Sequence, residues 1–119
     1  MNDVSTPNMN LLEKVLDVTA QRQKLVVANM ANVDTPGYQT KDIDFHSELQ
    51  HAVGDGEANF MPVVRSVHGL LERPDGNNVS MDREGLLLAE TQMQFSLGVQ
   101  LLRHEFQNLL SAINEGSKA

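Results

Sequence analysis

The chain of 119 residues contains no cysteine and no tryptophan, and its aromatic residues are one Tyr and four Phe. Without cysteine it can form no disulfide, thiolate nucleophile or Cys-ligated zinc site, and the redox compartment stays undetermined. Apolar residues make up 40% of the chain and aromatic residues 4%, so a core would be aliphatic, with few large rings to fix one packing arrangement. A tightly packed enzyme is therefore not expected.

Basic residues are also scarce, with 9 Lys+Arg against 16 Asp+Glu and a formal net charge of −7. Clustered cations bind phosphate backbones, and the sequence has no basic run, so no nucleic-acid partner is expected. No segment approaches the roughly 18 consecutive apolar residues of a membrane span, so no direct membrane insertion is expected. The first seven residues have no cationic stretch before an apolar one, which predicts a cytoplasmic protein or export without a cleavable signal.

Glycine and proline divide the chain into three segments, 1–33, 34–80 and 81–119, which together form one structural unit. Residues 9–33 contain neither and predict one long helix, which the turn at Thr35, Pro36 and Gly37 ends. Residues 81–113 predict a second long helix, with Ser80 as its N-cap and Gly116 as its stop signal. The fold class is therefore mainly α, with the two helices packed as an extended hairpin or coiled coil.

The middle segment 34–80 contains five of the eight Gly and predicts an irregular arm with little regular structure. Residues 60–64 and 66–68 favour a short extended piece, and a turn at Gly69 would make Leu70 and Leu71 its hairpin partner.

The second helix carries two apolar stripes at about 100° per residue. One has the 3-4 spacing of a coiled-coil seam, and its members are Leu88, Thr91, Phe95, Gly98, Leu102, Phe106, Leu109 and Ile113. The other points largely to the opposite side of the helix, and its members are Leu86, Met93, Leu97 and Leu101.

The first helix repeats this arrangement. One side holds Met9, Leu12, Leu16, Val27 and Met30, and another holds Leu11, Val18 and Leu25. Each helix thus has more apolar surface than one partner can cover. The arm could fold back over the second stripes, but it is acidic and short of large hydrophobic residues, so self-association is the better hypothesis. The residues expected in helix packing and subunit interfaces are Leu12, Leu16, Leu25, Met30, Met93, Phe95, Leu97, Leu101, Leu102, Phe106 and Leu109.

A metal site is the one chemical grouping that the arm suggests, at Asp42, Asp44 and His46. A calcium loop opening at Asp42 would need Gly at its sixth position and Glu at its twelfth, where this chain has Ser47 and Val53. No Gly-x-Ser-x-Gly nucleophile motif and no phosphate-binding glycine loop occur. We therefore expect no catalytic residue, no metal and no cofactor.

The junction between the first helix and the arm carries a distinctive motif. It consists of Ala28, Asn29, Ala31, Asn32, Thr35, Pro36, Gly37 and Tyr38. This junction resembles the Ala-Asn-x-x-Asn-x-x-Thr-Pro-Gly-Tyr signature of the bacterial flagellar rod and hook proteins. Residues 76–84 are similar to the loop that opens the C-terminal helix of rod proteins, except that Ser80 stands where the family commonly has Asp. The short arm favours a small rod component.

This resemblance implies a structural subunit that self-assembles in the proximal rod of the flagellar basal body. It would be a periplasmic protein that leaves the cytoplasm through the flagellar type III export apparatus and connects the MS ring to the drive shaft. The implied partners are other rod subunits, the ring-to-rod adaptor FliE and the MS-ring protein FliF. Within the junction motif, the turn would redirect the chain from an axial helix to the arm. Ala28 and Ala31 would permit close helix approach, and Tyr38 would be an aromatic anchor.

Two other classes stay open at this point. A cytoplasmic helical adaptor or export chaperone would also fit the acidic charge and the surplus apolar stripes, and it would remain a small soluble oligomer. A metal-dependent hydrolase would need stoichiometric metal at Asp42, Asp44 and His46.

Overall fold

The computed structural model of the chain describes residues 6–54 and 61–118. Within them the chain forms, in order, helix α1 (Pro7–Ala31), strand β1 (Lys41–Ile43), helix α2 (Phe45–Gly54), strand β2 (Val64–Ser66) and helix α3 (Met81–Lys118). The mainly helical fold with two long terminal helices confirms the predicted class. The molecule is elongated, with principal extents of 71 × 25 × 21 Å.

Helix α1 begins and ends where local chemistry directs it. The Thr6 hydroxyl caps the first turn by accepting from the Met9 backbone N–H at 3.1 Å, and Pro7 occupies the first helical position, where no backbone donor is needed. At the other end the Asn32 backbone N–H bonds back to the carbonyl of Ala28. The chain then enters the turn that contains Pro36.

Helix α3 begins at the predicted cap, where the Ser80 hydroxyl accepts from the Arg83 backbone N–H at 3.2 Å. Asp82 and Glu84 lie in its first turn, where the helix dipole favours carboxylates. The expected stop at Gly116 is wrong, because the helix continues to Lys118. A single glycine costs a helix only about 1 kcal/mol, which does not suffice to end it.

The two long helices run antiparallel. Asn29, near the end of α1, bonds to Glu84 at the start of α3, while Leu16 lies against Gly98 further along. Helix α3 has 38 residues and α1 has 25, so at about 1.5 Å per residue α3 is longer by about 20 Å. The buried apolar side chains are few and aliphatic: Met9, Val18, Val26, Ile43, Ala52, Val79 and Leu87.

The arm is more regular than predicted. Helix α2 was not foreseen, although Phe45, Glu48, Leu49 and Ala52 follow helical spacing. Its start is fixed by Asp44, whose side chain accepts from the Ser47 backbone N–H at 3.2 Å. Helix α2 contacts α1 and buries Glu48 and Ala52.

The predicted β-hairpin has a different partner. Strand β2 pairs antiparallel with β1, with Asp42 opposite Arg65, and the Val67 N–H donates to the carbonyl of Thr40 at 3.0 Å. The expected pairing with Leu70 and Leu71 is wrong. Asn29 holds β1 in place through the Lys41 backbone, and β1 supplies the backbone hydrogen-bonding partners of β2. Phe60, the first residue of the predicted extended piece, lies outside the described residues.

Gly98 lies at a tight contact between the two long helices. A Cβ added there would lie 2.7 Å from Leu16 Cδ2, whereas a Cβ added at Gly85 would meet nothing within 4 Å. A larger residue at position 98 would therefore have to displace the Leu16 side chain, whereas Gly85 has room for one.

Replacing Gly98 with valine is expected to destabilise the chain by about 1–3 kcal/mol, because overpacking forces the helices apart or Leu16 off its rotamer. The same change at Gly85 should be neutral or mildly stabilising, since only helix propensity changes there. Urea denaturation followed by circular dichroism measures both. Adding Leu16→Ala should recover part of the loss at Gly98. Equal effects at the two glycines would contradict this interpretation.

Candidate functional site

Asn29 is the centre of the junction between α1, the arm and α3. Its side chain is fully buried. The Nδ2 group donates to the Lys41 carbonyl at 2.8 Å and to Glu84 Oε1, while Oδ1 accepts from the Tyr38 hydroxyl at 2.9 Å and from the Lys41 N–H at 3.2 Å. A carboxamide has two donors and one oxygen with two lone pairs, so every bonding position is used. One side chain thus joins three separate segments.

Asn32 and Thr35 build the turn that ends α1. Asn32 Nδ2 donates to the Ala28 carbonyl at 2.8 Å, and its Oδ1 accepts from the Thr35 hydroxyl at 2.9 Å. The Thr35 carbonyl then accepts from the Tyr38 N–H at 3.2 Å. Gly37 has φ +75°, a conformation that disfavours residues with a Cβ. The motif is therefore a helix stop with a specified geometry.

The second sequence landmark closes over this turn. Asn77 Nδ2 donates to the carbonyls of Asn32 and Thr35, at 2.9 and 2.8 Å. The Gly37 N–H donates to the Asp75 carbonyl at 2.9 Å, and Gly76 lies so close that an added Cβ would stand 3.3 Å from Gly37 Cα. The two motifs, far apart in the chain, form one unit that we call the corner, residues 29–40 and 73–84.

Asn78 and Arg73 extend the corner on either side. Asn78 Oδ1 accepts from the buried Thr40 N–H at 2.7 Å, and its Nδ2 donates to Gln39 at 2.9 Å. Arg73 donates from its guanidinium to the Val33 carbonyl. These bonds satisfy backbone groups that the turn would otherwise leave unpaired.

Four charged residues connect the corner to the sheet and to α1. Asp42 on β1 accepts from Arg22 of α1, at 2.9 and 3.2 Å, and from Arg83 of α3 at 2.7 Å. Arg83 also pairs with the buried carboxylate of Glu84 at 3.0 Å. Asp42 therefore bridges a cation from each long helix, in the bidentate geometry that suits guanidinium.

The two carboxylates respond oppositely to this environment. Burial opposes ionisation of Asp42, but the hydrogen bonds from Arg22, the Ile43 N–H and Arg83 outweigh it and lower its pKa below 3.8. Burial raises the pKa of Glu84 above 4.5, and the bonds from Asn29 and Arg83 offset that only in part. Burial, with the nearby charge of Glu84, also raises the pKa of the Tyr38 hydroxyl.

Asp42→Asn is expected to lower the stability by about 2–3 kcal/mol at neutral pH, because two guanidinium groups lose their anion. The stability that Asp42 contributes is present above 3.8 and is lost as the pH falls through its lowered pKa. The variant should therefore lose less stability on acidification than the wild type.

Glu84→Gln should lower the free energy of unfolding at neutral pH by less than Asp42→Asn does. Glu84 contributes stability that is lost as the pH rises through its raised pKa. Urea denaturation from about pH 3 to about pH 7 measures these differences. If the free energy of unfolding fell equally on acidification in Asp42→Asn and in the wild type, these expectations would be contradicted.

The three residues that a metal site in the arm would need, Asp42, Asp44 and His46, make other contacts in the structure. Both Asp42 oxygens face guanidinium groups, Asp44 caps α2, and His46 contacts Gln50 at 3.2 Å. No three His, Asp or Glu side chains converge on a common point in residues 6–54 and 61–118. Asp42, which the hydrolase alternative requires as a metal ligand, instead forms the ion-pair bridge.

The structure brings most of the junction motif together. Asn29, Asn32, Thr35, Gly37 and Tyr38 make the contacts described above. Ala28 is half-buried, whereas Ala31, Thr35, Pro36 and Gly37 are exposed. The close approach of the helices lies at Gly98 rather than at Ala31. Sequence reasoning missed Asn77, Asn78 and Arg83 as corner residues, although all three stand in the second landmark, and it missed Arg22 as an ion-pair partner of Asp42.

The apolar stripes of α3 divide differently from the prediction. The second stripe is exposed, with between 47% and 72% of each residue's surface accessible. We call it the outer face, and its members are Leu86, Met93, Leu97 and Leu101. Of the predicted seam, Thr91 and Gly98 are buried and Leu88, Leu102 and Leu109 are half-buried, but Phe95, Phe106 and Ile113 are exposed. Leu87, which is outside the predicted stripe, is buried. The side of α3 that contacts α1 therefore differs from the predicted stripe by a rotation about the helix axis.

The predicted packing residues of α1, which are Leu12, Leu16, Leu25 and Met30, are all half-buried. Beside them a shallow groove runs between α1 and α3. One part, about 430 Å³, is lined by Ala20, Gln23, Lys24, Val27 and Phe95. The adjoining part, about 560 Å³, shares Gln23 and Phe95 and reaches Val99 and Arg103. We call its exposed apolar residues and their continuation along α3 the groove face: Val27, Phe95, Phe106, Leu110 and Ile113.

None of the described helices has an apolar stretch that is long enough to cross a membrane.

Comparison with known proteins gives a consistent set of relatives. The chain is 31% identical over 126 residues to the flagellar basal body rod protein FlgB of Salmonella typhimurium, covering 88% of this chain and 91% of the relative. It is 30% identical, with the same coverage, to the protein of that name in Escherichia coli. The Borrelia hermsii protein of that name is 28% identical, covering 86% of this chain and 92% of the relative. No family model matches the chain.

Proposed function

The chain belongs to the FlgB family of flagellar basal body rod proteins, and from this we propose that it is a proximal-rod subunit that connects the MS ring to the drive shaft. It is a structural protein, and its family is not enzymatic. Assembly is the property that requires a physical explanation, because a structural subunit acts through its surfaces.

The exposed apolar surface of α3 is the observation that carries this proposal. Eight large apolar residues of α3, which belong to its outer and groove faces, are 39% exposed or more. Exposed apolar residues that line up along a helix face mark an interaction site, and α3 has two such faces. The corner is a second feature that supports assembly, because its hydrogen bonds fix the angle at which the arm leaves the pair of long helices. A subunit with a fixed arm and unpaired helical faces is suited to repeated packing.

The partners that we propose are other rod subunits and further copies of the chain, with the adaptor FliE and the MS-ring protein FliF at the membrane end. The flagellar type III export apparatus would deliver the chain to the periplasm without a cleavable signal. The residues proposed to act in these contacts are the outer face and Phe95, Phe106 and Leu109 of α3. The junction motif acts as the device that positions them.

Deletion and complementation test this function. Cells without the gene should not swim and should yield no complete basal bodies, and a plasmid copy should restore both. Quantitative mass spectrometry of purified basal bodies should find the chain at a fixed ratio to other rod proteins. A chain that stays in the soluble cytoplasmic fraction as a small oligomer, while basal bodies form without it, would instead indicate an adaptor or export chaperone.

A further inference from the structure

The two exposed apolar faces lie on opposite sides of α3. Phe95 of the groove face is two residues from Met93 and from Leu97 of the outer face, and two residues correspond to about 200° of rotation. One neighbour therefore cannot cover both faces. The outer face, from Leu86 to Leu101, extends along about 22 Å of helix, and the groove face from Phe95 to Ile113 extends along about 27 Å. The two faces are similar in length.

Their charged surroundings have opposite signs. The groove is lined by two charged residues, Lys24 and Arg103, both cationic in a chain of net charge −7. Leu86 of the outer face has Asp82 and Glu90 four residues to either side, which places both carboxylates on its strip of the helix. Asp82 is exposed, and Glu90 keeps 45% of its side chain exposed, although Arg22 Nη1 lies 3.9 Å from its Oε1.

We propose that the outer face of one copy docks in the groove of a second copy. The apolar side chains of the outer face would cover Val27 and Phe95, while Asp82 and Glu90 would face Lys24 and Arg103. Because the two surfaces differ, the contact is heterologous and does not close on itself as a symmetric dimer would. Each copy then leaves one groove and one outer face free for the next. This proposal rests on the proposed function and specifies which surfaces of neighbouring subunits meet.

The absence of cysteine permits a direct crosslinking test in assembled basal bodies. Val27→Cys on the groove face and Met93→Cys on the outer face both replace side chains that are more than half exposed. In cells that produce both single variants with different tags, a short thiol crosslinker should join one copy of each. Either variant alone should give no crosslinked dimer, and a Val27→Cys Met93→Cys double variant should give a ladder of multimers.

Dimers from Met93→Cys alone would indicate outer faces packed on each other and would overturn the proposal. So would basal bodies that contain both variants and give no crosslink between copies. In that second case the proposed function would stand, because the chain is present in the rod, while the assigned contact would be wrong.

Charge reversal provides a readout that needs no thiol. In sedimentation of the purified full chain at high concentration and low salt, Lys24→Glu should lower the self-association constant at least tenfold. Lys41→Glu is the matched control, since Lys41 is exposed on β1, outside the groove lining. Equal effects of the two reversals, or no effect of Lys24→Glu, would count against the docking contact.

Discussion

Asn29→Ala is expected to lower the free energy of unfolding by about 3 kcal/mol or more, because each buried polar group that loses its partner costs about 1–3 kcal/mol. The variant removes bonds to Tyr38, to both backbone groups of Lys41 and to the buried carboxylate of Glu84. Urea denaturation monitored by circular dichroism measures the loss. The transition should also broaden, because only the ion pairs of Asp42 would then hold β1 to the two long helices.

Two controls separate this effect from a generic one. Tyr38→Phe removes one of the four bonds and should cost about 1 kcal/mol. Asn108→Ala makes the same chemical change at an exposed position of α3 and should stay within about 0.5 kcal/mol of the wild type. If Asn29→Ala costs no more than Asn108→Ala, the corner does not determine the stability of the subunit.

The second large effect is a separation of folding from assembly on α3. Leu102 is half-buried beside α1, whereas 57% of Leu97 is exposed on the outer face. Leu102→Asp should therefore destabilise the subunit by about 3 kcal/mol, because a carboxylate enters an apolar contact. Leu97→Asp should leave helicity and the melting temperature near those of the wild type. Both variants should abolish swimming, the first through instability and the second through failed assembly. Circular dichroism and soft-agar motility measure the two properties.

Control variants identify what assembly requires at this position. Leu97→Met keeps an apolar side chain of similar volume and should swim normally. Gln107→Asp adds a carboxylate at an exposed position between the two faces and should do little. A swimming defect in Gln107→Asp as severe as that in Leu97→Asp would mean that added charge, rather than a lost apolar contact, disrupts the rod.

The long helices could be predicted because their signals are local. Residues 9–33 lack helix breakers, Ser80 is a cap, and Pro36 ends α1. Other expectations failed for physical reasons. Gly116 does not stop α3 because one glycine costs too little. Helix α2 lies in an arm whose many glycines predict irregular structure, and this masks the short helical spacing. The seam of α3 was predicted only in part because Leu87 and Phe95 are both apolar, and only the position of α1 decides that Leu87 is buried and Phe95 is exposed.

The corner is a different case. The motif residues were identified from the sequence, but their contacts join Asn29 to Glu84 and Asn32 to Asn77, which are 55 and 45 residues apart. No local pattern specifies such pairs. The ion-pair bridge through Asp42 was not predicted for the same reason, since the sequence does not reveal that Arg22 and Arg83 lie beside it. Asparagines in both landmarks were the available signal, because buried amides require partners.

The amount of the chain in basal bodies purified from Leu97→Asp cells tests the role of the outer face most directly. Quantitative mass spectrometry should find the amount of the chain in basal bodies reduced at least tenfold relative to wild-type and Leu97→Met cells. The amount of the chain in whole cells and the helicity of the purified variant should stay unchanged. Basal bodies from Leu97→Asp cells that contain the wild-type amount of the chain would show that the exposed outer face of α3 is not an assembly surface.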